Sequence, residues 1–409
     1  MGRLGYLLSH YPSANHTYLL REIRALRTAG IDVTVVAIDG DVRPLAGLTP
    51  EEIEERGTTF VIKRAGLRSI VWSHVATATA APVRYAGGLA SALRLAGPDL
   101  KRLAYHLVYF AEAVVAGRRL RRAGCTHVHT HYASTVALIA ARTFRLELSA
   151  SIHGSAEFID PRAQRLREKV AACSFVRAIS MYGRSQLMLA SPPAEWPKIA
   201  VVRLGINPDA FPPAPRRHGD GIRFRVVTVG QLQPAKGFHI LLDALALVVR
   251  DGHDMALTIV GDGAERHSLA EHAASLGISD RITLTGALAQ PAVKSMLAGA
   301  DAFALPSFAE GIPVVLMEAM GMGVPCVASR ITGIPELIEH NVSGILVTPS
   351  DEKELARALL RLSGDAALRA RIGDAGRESV TQSYNLEQNT LHLVTLFKQR
   401  LETGDQPIA

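Results

Sequence analysis

The sequence predicts an α/β protein built from two parallel-sheet domains. Short apolar, β-branched runs alternate with amphipathic stretches in both halves of the chain, the pattern of buried strands joined by crossover helices. Its 409 residues exceed one ordinary domain and suit two of about 200 each. Between the halves lies Phe211-Pro212-Pro213-Ala214-Pro215-Arg216-Arg217-His218-Gly219-Asp220-Gly221, whose prolines and glycines end elements rather than continue them.

Leu4–Ser9 reads as a short apolar strand, His16–Thr28 as an amphipathic helix closed by Gly30, and Asp32–Ile38 as a β-branched strand, which together make a βαβ opening. Residues 41–122 are mainly helical in pattern. Strands follow at Cys125–His131 and Ser149–His153, with a helix at Ser134–Phe144 between them. In the second half Phe224–Val229, Ala256–Val260, Arg281–Thr285, Ala302–Leu305, Cys326–Ala328 and Ile345–Val347 read as buried parallel strands. Asp351–Leu362, Ala366–Gln382 and Leu386–Glu402 are well-patterned helices. The expected organisation is a first domain over 1–210, a linker over 211–222, a second domain over 223–382 and a terminal helix over 383–409.

Hydrophobic residues make up 48% of the chain and charged residues 20%, enough apolar material for two cores. No apolar run reads as a membrane span, and the amino terminus lacks the basic-then-apolar pattern of a signal peptide, so a cytoplasmic protein is expected. Cys125, Cys173 and Cys326 are scattered and odd in number, as buried packing residues of a reducing compartment would be. Residues 1–210 hold 27 Lys and Arg against 16 Asp and Glu, whereas 211–409 hold 18 against 22. The basic half, with Arg118-Arg119-Leu120-Arg121-Arg122 and the weakly charged stretch Ile70–Gly97 carrying Arg84 and Arg94, suits an anionic membrane surface. This places the chain peripherally at the inner face of a membrane. Nucleic acid is disfavoured, because aromatic residues are only 5% and no nucleic-acid module is present.

The run Ser307-Phe308-Ala309-Glu310-Gly311-Ile312-Pro313-Val314-Val315-Leu316-Met317-Glu318 carries the clearest functional pattern. Two carboxylates straddle a loop that opens a helix, with Pro313 expected at the first helical position. Unused N–H groups of Gly311, Ile312, Val314 and Val315 favour an anionic ligand such as phosphate, while the carboxylates suit its hydroxyl-rich parts. At about 1.5 Å rise per residue, Glu310 and Glu318 stand up to roughly 12 Å apart, the span from a sugar to a ribose across a diphosphate. A nucleotide sugar is the expected ligand. His127, His129 and His131 alternate along a strand, a spacing that also suits a metal hydrolase, but no nearby Asp, Glu or Cys completes a site in the sequence.

The segment with Leu305-Pro306-Ser307 ahead of Glu310 and Met317-Glu318-Ala319-Met320 behind it resembles the Glu-x7-Glu signature of the retaining glycosyltransferases of family four. The resemblance implies the GT-B fold: two Rossmann-like domains facing a central cleft, with the last helix crossing back to the first. Glu310 would then meet hydroxyls of the transferred sugar and Glu318 the ribose. Gly230-Gln231-Leu232-Gln233-Pro234-Ala235-Lys236-Gly237 resembles the Gly-Arg-Leu…Lys-Gly segment, whose Arg and Lys clamp the donor diphosphate. Lys236 matches, and uncharged Gln231 stands in place of the Arg. The turn Val260-Gly261-Asp262-Gly263 and the loop at Gly286 match donor-side segments, although as a bare pattern Gly-x-Gly is weak, and Arg266 breaks the dinucleotide fingerprint.

His153, in Ser151-Ile152-His153-Gly154-Ser155, is similar to a residue that faces the reacting centre, so His153, Lys236 and Glu310 form the implied catalytic set. His10, Asn15 and His16 fall in a segment similar to an acceptor-side loop of the polysaccharide branch, with Asn15-His16-Thr17-Tyr18 replacing Ser-Glu-Thr-Phe. The implied reaction is retaining transfer of a sugar from a nucleotide diphosphate sugar to a glycan or lipid-linked glycan in cell-surface polysaccharide synthesis. It needs no metal and no cofactor. A silent nucleotide-sugar-binding protein, suggested by Gln231, and a GT-B-like epimerase remain open. A nicotinamide-dependent oxidoreductase lacks its fingerprint.

Overall fold

The computed structural model describes residues 3–13, 17–45, 48–215 and 223–403. The chain divides into two compact units, Met1–Val202 with Thr390–Ala409, and Arg203–Asn389. The division falls ahead of the Pro-rich passage because residues 203–214 are tied into the second unit. Ile206 N–H donates to Tyr384 O at 2.9 Å, Ala214 N–H donates to Met322 O at 2.8 Å, and Phe211 is fully buried.

In the first unit β1 (Arg3–His10), β2 (Val33–Asp39), β3 (Phe60–Val61), β4 (Cys125–His131), β5 (Glu147–Ile152), β6 (Phe175–Ala178) and β7 (Ile199–Val201) form one sheet. Its order is β3-β2-β1-β4-β5-β6-β7, with every pairing parallel. In the second unit β8 (Phe224–Val229), β9 (Met255–Val260), β10 (Ile282–Gly286), β11 (Ala302–Leu305), β12 (Cys326–Ser329) and β13 (Ile345–Val347) pair in the order β10-β9-β8-β11-β12-β13, again all parallel. Strands β3, β6 and β7, of two, four and three residues, are not among the strands read from the sequence.

The stretch between β2 and β4 resolves into helices Pro50–Thr58, Leu67–Ala80, Pro82–Ala96 and Leu100–Arg122. Their boundaries are set by local chemistry: a capping box of Thr49 and Glu52 opens the first, Pro82 starts the third, and Asp99 caps the fourth. Each unit has its own apolar core. In the first, Val136–Ala141 of helix Ser134–Phe144 pack with Leu7, Val128 and Ala150; in the second, Leu241, Leu245, Leu257 and Leu359 gather over the sheet. All three cysteines are free and buried. No described helix is long and apolar enough to cross a membrane.

Candidate functional site

In the second sheet the strand order reverses between β8 and β11, and the carboxyl ends of strands at such a reversal are where open α/β sheets bind ligands. Residues 230–237 follow β8 and residues 306–313 follow β11. The rim is stitched together by backbone: Gly230 N–H donates to Val260 O at 2.9 Å, Leu232 N–H to Asp262 O at 3.0 Å, and Phe308 N–H to Ala235 O at 2.8 Å. Two glycines make this approach possible. At Gly261 (φ +145°) a Cβ would stand 1.9 Å from Gly230 O, and at Gly237 (φ +63°) 2.3 Å from Pro306 O. Gly286 joins the same rim, its carbonyl accepting from Gly261 N–H at 2.9 Å.

Lys236 and Glu310 meet at this reversal point. Lys236 Nζ donates to Glu310 Oε1 at 2.7 Å, and Ser307 Oγ donates to the same oxygen at 2.7 Å. Glu310 is only 7% exposed, so its charge is held by these donors rather than by water. Helix Val314–Gly321 begins one residue later than the sequence suggests: Pro313 is its N-cap, with extended backbone (ψ 121°), and its carbonyl accepts from Leu316 and Met317 N–H. The N–H groups of Val314 and Val315 therefore lie outside the helix's own ladder, with Gly311 and Ile312 in the loop just ahead. Glu318, in the second turn, is 5% exposed and accepts from Gln290 Nε2 at 2.9 Å. Gln231 is exposed on the loop after β8.

The first sheet has its own reversal, between β1 and β4. His10 ends β1 half-buried, whereas Asn15 and His16 lie outside the described residues. β4 ends in His131, and Tyr132 follows in the left-handed region (φ 62°), a costly conformation for a bulky residue. His153 follows β5 and is buried. Its Nε2 lies 2.7 Å from His131 Nδ1; Tyr132 stacks on it with centroids 4.7 Å apart, and Tyr18 lies beside it at 5.3 Å. The Tyr18 and Tyr132 hydroxyls are hydrogen-bonded at 2.6 Å.

Beneath this rim lies a buried polar ladder. Ser149 Oγ lies 2.6 Å from His127 Nε2 and 2.7 Å from His129 Nδ1, and Ser151 Oγ lies 2.9 Å from His129 Nε2. His131 Nε2 stands 3.1 Å from Glu22 Oε1, Tyr6 OH donates to the same carboxylate at 2.9 Å, and Arg177 pairs with it. Burial alone would raise the pKa of Glu22, but Arg177 and then His131 outweigh it and hold the carboxyl well below its usual range. Burial pushes His129 far down, helped by His131, and it lowers His131 despite the opposing Glu22. Nearby, burial brings Lys169 down to about 8 against the pull of Glu157, whose own pKa burial raises.

The sequence shows no carboxylate near the three histidines; the fold supplies one. Glu22, on helix Thr17–Thr28, offers a ligand atom within 4.8 Å of those of His129 and His131. Its charge is met by Arg177, and both nitrogens of His129 face serine hydroxyls, the arrangement of a satisfied buried network.

The profile of the family described as glycosyl transferases group 1 matches residues 219–379, the second unit with both glutamates and Lys236. Over that stretch the chain is similar to the group 1 glycosyl transferases. Among curated relatives, the amylovoran biosynthesis glycosyltransferase AmsK of Erwinia amylovora is 38% identical over 51% of this chain and 52% of its own, so the chain spans about half the length of that relative. The putative colanic acid biosynthesis glycosyltransferase WcaL of Escherichia coli K12 is 25% identical over 97% of this chain and 99% of its own. The crystal structure of Anabaena HepE in complex with UDP and glucose superposes with a TM-score of 0.72 over 97% of this chain and 100% of its own at 19% identity, which shows the fold to be GT-B.

Several residues around the rims of the two sheets escape sequence reading. Gln290 holds Glu318 from 28 positions away, a separation no local motif spans. Glu22 sits on an amphipathic helix among ordinary charges. Arg177 lies in β6, a strand whose pattern does not show in the sequence, so its buried pairing with Glu22 emerges only in the fold.

Proposed function

We propose that this glycosyltransferase moves a sugar, with retention of anomeric configuration, from a nucleotide diphosphate sugar to a hydroxyl of a glycan or lipid-linked glycan in cell-surface polysaccharide synthesis. The Lys236–Glu310 pair, at the reversal point beside the start of helix Val314–Gly321, carries this reading. The donor diphosphate would be received by the N–H groups of Val314 and Val315 and by Lys236, which would then stabilise the charge that grows on the leaving nucleotide. Glu310 would turn to hydroxyls of the sugar, and Glu318, oriented by Gln290, would take the ribose. Lys236 and the helix start supply positive potential themselves, so we propose no metal and no cofactor.

In the first unit His153 is the residue we place against the sugar, and His10, Asn15 and His16 on the acceptor side. No nucleophile is assigned: a phosphate oxygen of the leaving group takes the acceptor's proton on the face from which it departs. The names of the relatives, from amylovoran and colanic acid biosynthesis, support the acceptor class, and the UDP and glucose in HepE support the donor class. A lipid-linked acceptor would place the chain at the cytoplasmic face of a membrane.

A thermal-shift panel of UDP, GDP and ADP and their sugar conjugates, on wild type and Glu318→Ala, tests the donor site. One nucleotide is expected to stabilise the wild type, with the shift lost in the variant. No shift with any of them would sink the reading. A shift without sugar transfer to any acceptor would favour the silent binding protein that Gln231 suggests.

A further inference from the structure

Helix Leu67–Ala80 is amphipathic in the wrong sense for a soluble surface. Its buried positions are Ser73 and Thr77, whose hydroxyls are turned onto the helix's own carbonyls at Ser69 and Ser73. Its outward face carries Leu67, Val71, Trp72 and Val75, with Trp72 59% exposed. A helix that hides small polar groups and shows water its large apolar ones is built to be covered.

Helix Leu100–Arg122 repeats the signal for a geometric reason. Its 23 residues are about 35 Å long, whereas the seven residues of β4, which it feeds, span about 23 Å. It ends at the amino edge of the sheet, where β4 begins, so its first turns overshoot the carboxyl rim. Burial begins at Phe110, and ahead of it Leu100 (81% exposed), Tyr105 and Val108 face outward. That rim is the one that bears His131, Tyr132 and His153.

The charge around these faces has one sign. From Arg56 to Pro98 there is no Asp or Glu but six Lys and Arg. Asp99, the next acid, is engaged as a helix cap, accepting from Arg102 N–H at 2.9 Å. Arg68, Arg84, Arg94, Lys101 and Arg102 are exposed, and among the described residues none has an ion-pair partner. The run Arg118–Arg122 lies at the opposite end of its helix, against the amino edge, where Arg119 covers Phe60, and takes no part.

We infer that the outward face of Leu67–Ala80 and the overshooting start of Leu100–Arg122 form a surface that inserts into an anionic phospholipid bilayer. Trp72, Leu100 and Tyr105 enter the headgroup boundary while Arg68, Lys101 and Arg102 meet lipid phosphates. This rests on the lipid-linked acceptor proposed above and adds to it the face that meets the membrane, at the first sheet's carboxyl rim.

The test is flotation of the full chain with vesicles of phosphatidylglycerol and phosphatidylethanolamine, and of phosphatidylcholine alone. The fluorescence of Trp72 is followed in a Trp196→Phe background, Trp196 being the only other tryptophan. Binding to the anionic vesicles with a blue shift of Trp72, weakened about fivefold per charge and thus about a hundredfold in Arg68→Ala/Lys101→Ala/Arg102→Ala, is expected. Trp72→Ser should also lose binding, with the melting temperature and the nucleotide shift of both variants unchanged. Equal binding to neutral vesicles, no binding to either, or a wild-type dimer that Trp72→Ser dissociates would each overturn the inference. In those cases a retained nucleotide shift would leave the donor site standing, whereas vesicle binding without any nucleotide shift would overturn the functional reading and keep the surface.

Discussion

Lys236 and Glu318 have different tasks and should fail differently. Lys236 faces charge that grows during reaction, so Lys236→Ala is expected to lower kcat by about 10²–10³-fold with a smaller effect on donor binding. Glu318 is held ready in the ground state by Gln290 at 2.9 Å, so Glu318→Ala should weaken donor binding about tenfold or more and leave kcat closer to wild type. Steady-state kinetics separate the two, and identical profiles would remove both assignments. Gln231 offers a test in the gaining direction. A guanidinium on the exposed loop after β8 would add a charge-assisted contact to a diphosphate, so Gln231→Arg should tighten nucleotide binding about tenfold at low salt, as titration calorimetry would show. Glu310 and Lys236, which the structure pairs, can be picked out in the sequence because loop chemistry is local. Gln290, Glu22 and Tyr132 are not, because only the folded sheets bring them to their partners.

Strand β4 shows how an element that looks like a metal site becomes a pH-sensitive support. His129 and His131 are buried with their pKa values depressed, so the folded state binds fewer protons than the unfolded chain once the pH falls below about 6.5. Their contribution to stability is fully present above that pH and is lost as the pH falls, by about 1.4 kcal/mol per pH unit for each imidazole. Glu22 adds a loss in the same direction at lower pH, since its folded pKa is also depressed and its stabilisation disappears as it protonates. The first unit should therefore become less resistant to urea between pH 7.5 and 5.5. His129→Gln keeps hydrogen bonds toward Ser149 and Ser151 without a titrating group, and should flatten part of that slope; an unchanged slope would remove the assignment. Long elements were legible: Ser134–Phe144 has the helical boundaries its periodicity predicts. The marginal strands β3, β6 and β7 were not, since they exist through pairing with neighbours rather than through any pattern of their own.

The two-unit α/β organisation follows from length and alternation, but the sequence does not show what the carboxyl-terminal segment does within the first unit. Thr390–Ala409 belongs to that unit, and Phe397 is fully buried there, with ring centroids 5.1 Å from His129 and 5.3 Å from Phe175. A ring at the end of the chain thus closes the apolar side of a polar ladder assembled from β4 and β5. Phe397→Ala would leave a cavity beside His129, at a cost of about 3–5 kcal/mol. Both tryptophans, Trp72 and Trp196, lie in the first unit, so their fluorescence during urea unfolding follows that unit alone. The substitution should bring the tryptophan transition to lower urea. The group 1 match and both glutamates lie in the second unit, whose core is separate, so the nucleotide-induced thermal shift should survive. A tryptophan transition that does not move would mean that the terminal segment adds nothing to the first unit; loss of the nucleotide shift together with it would mean that the two units do not hold their structure independently.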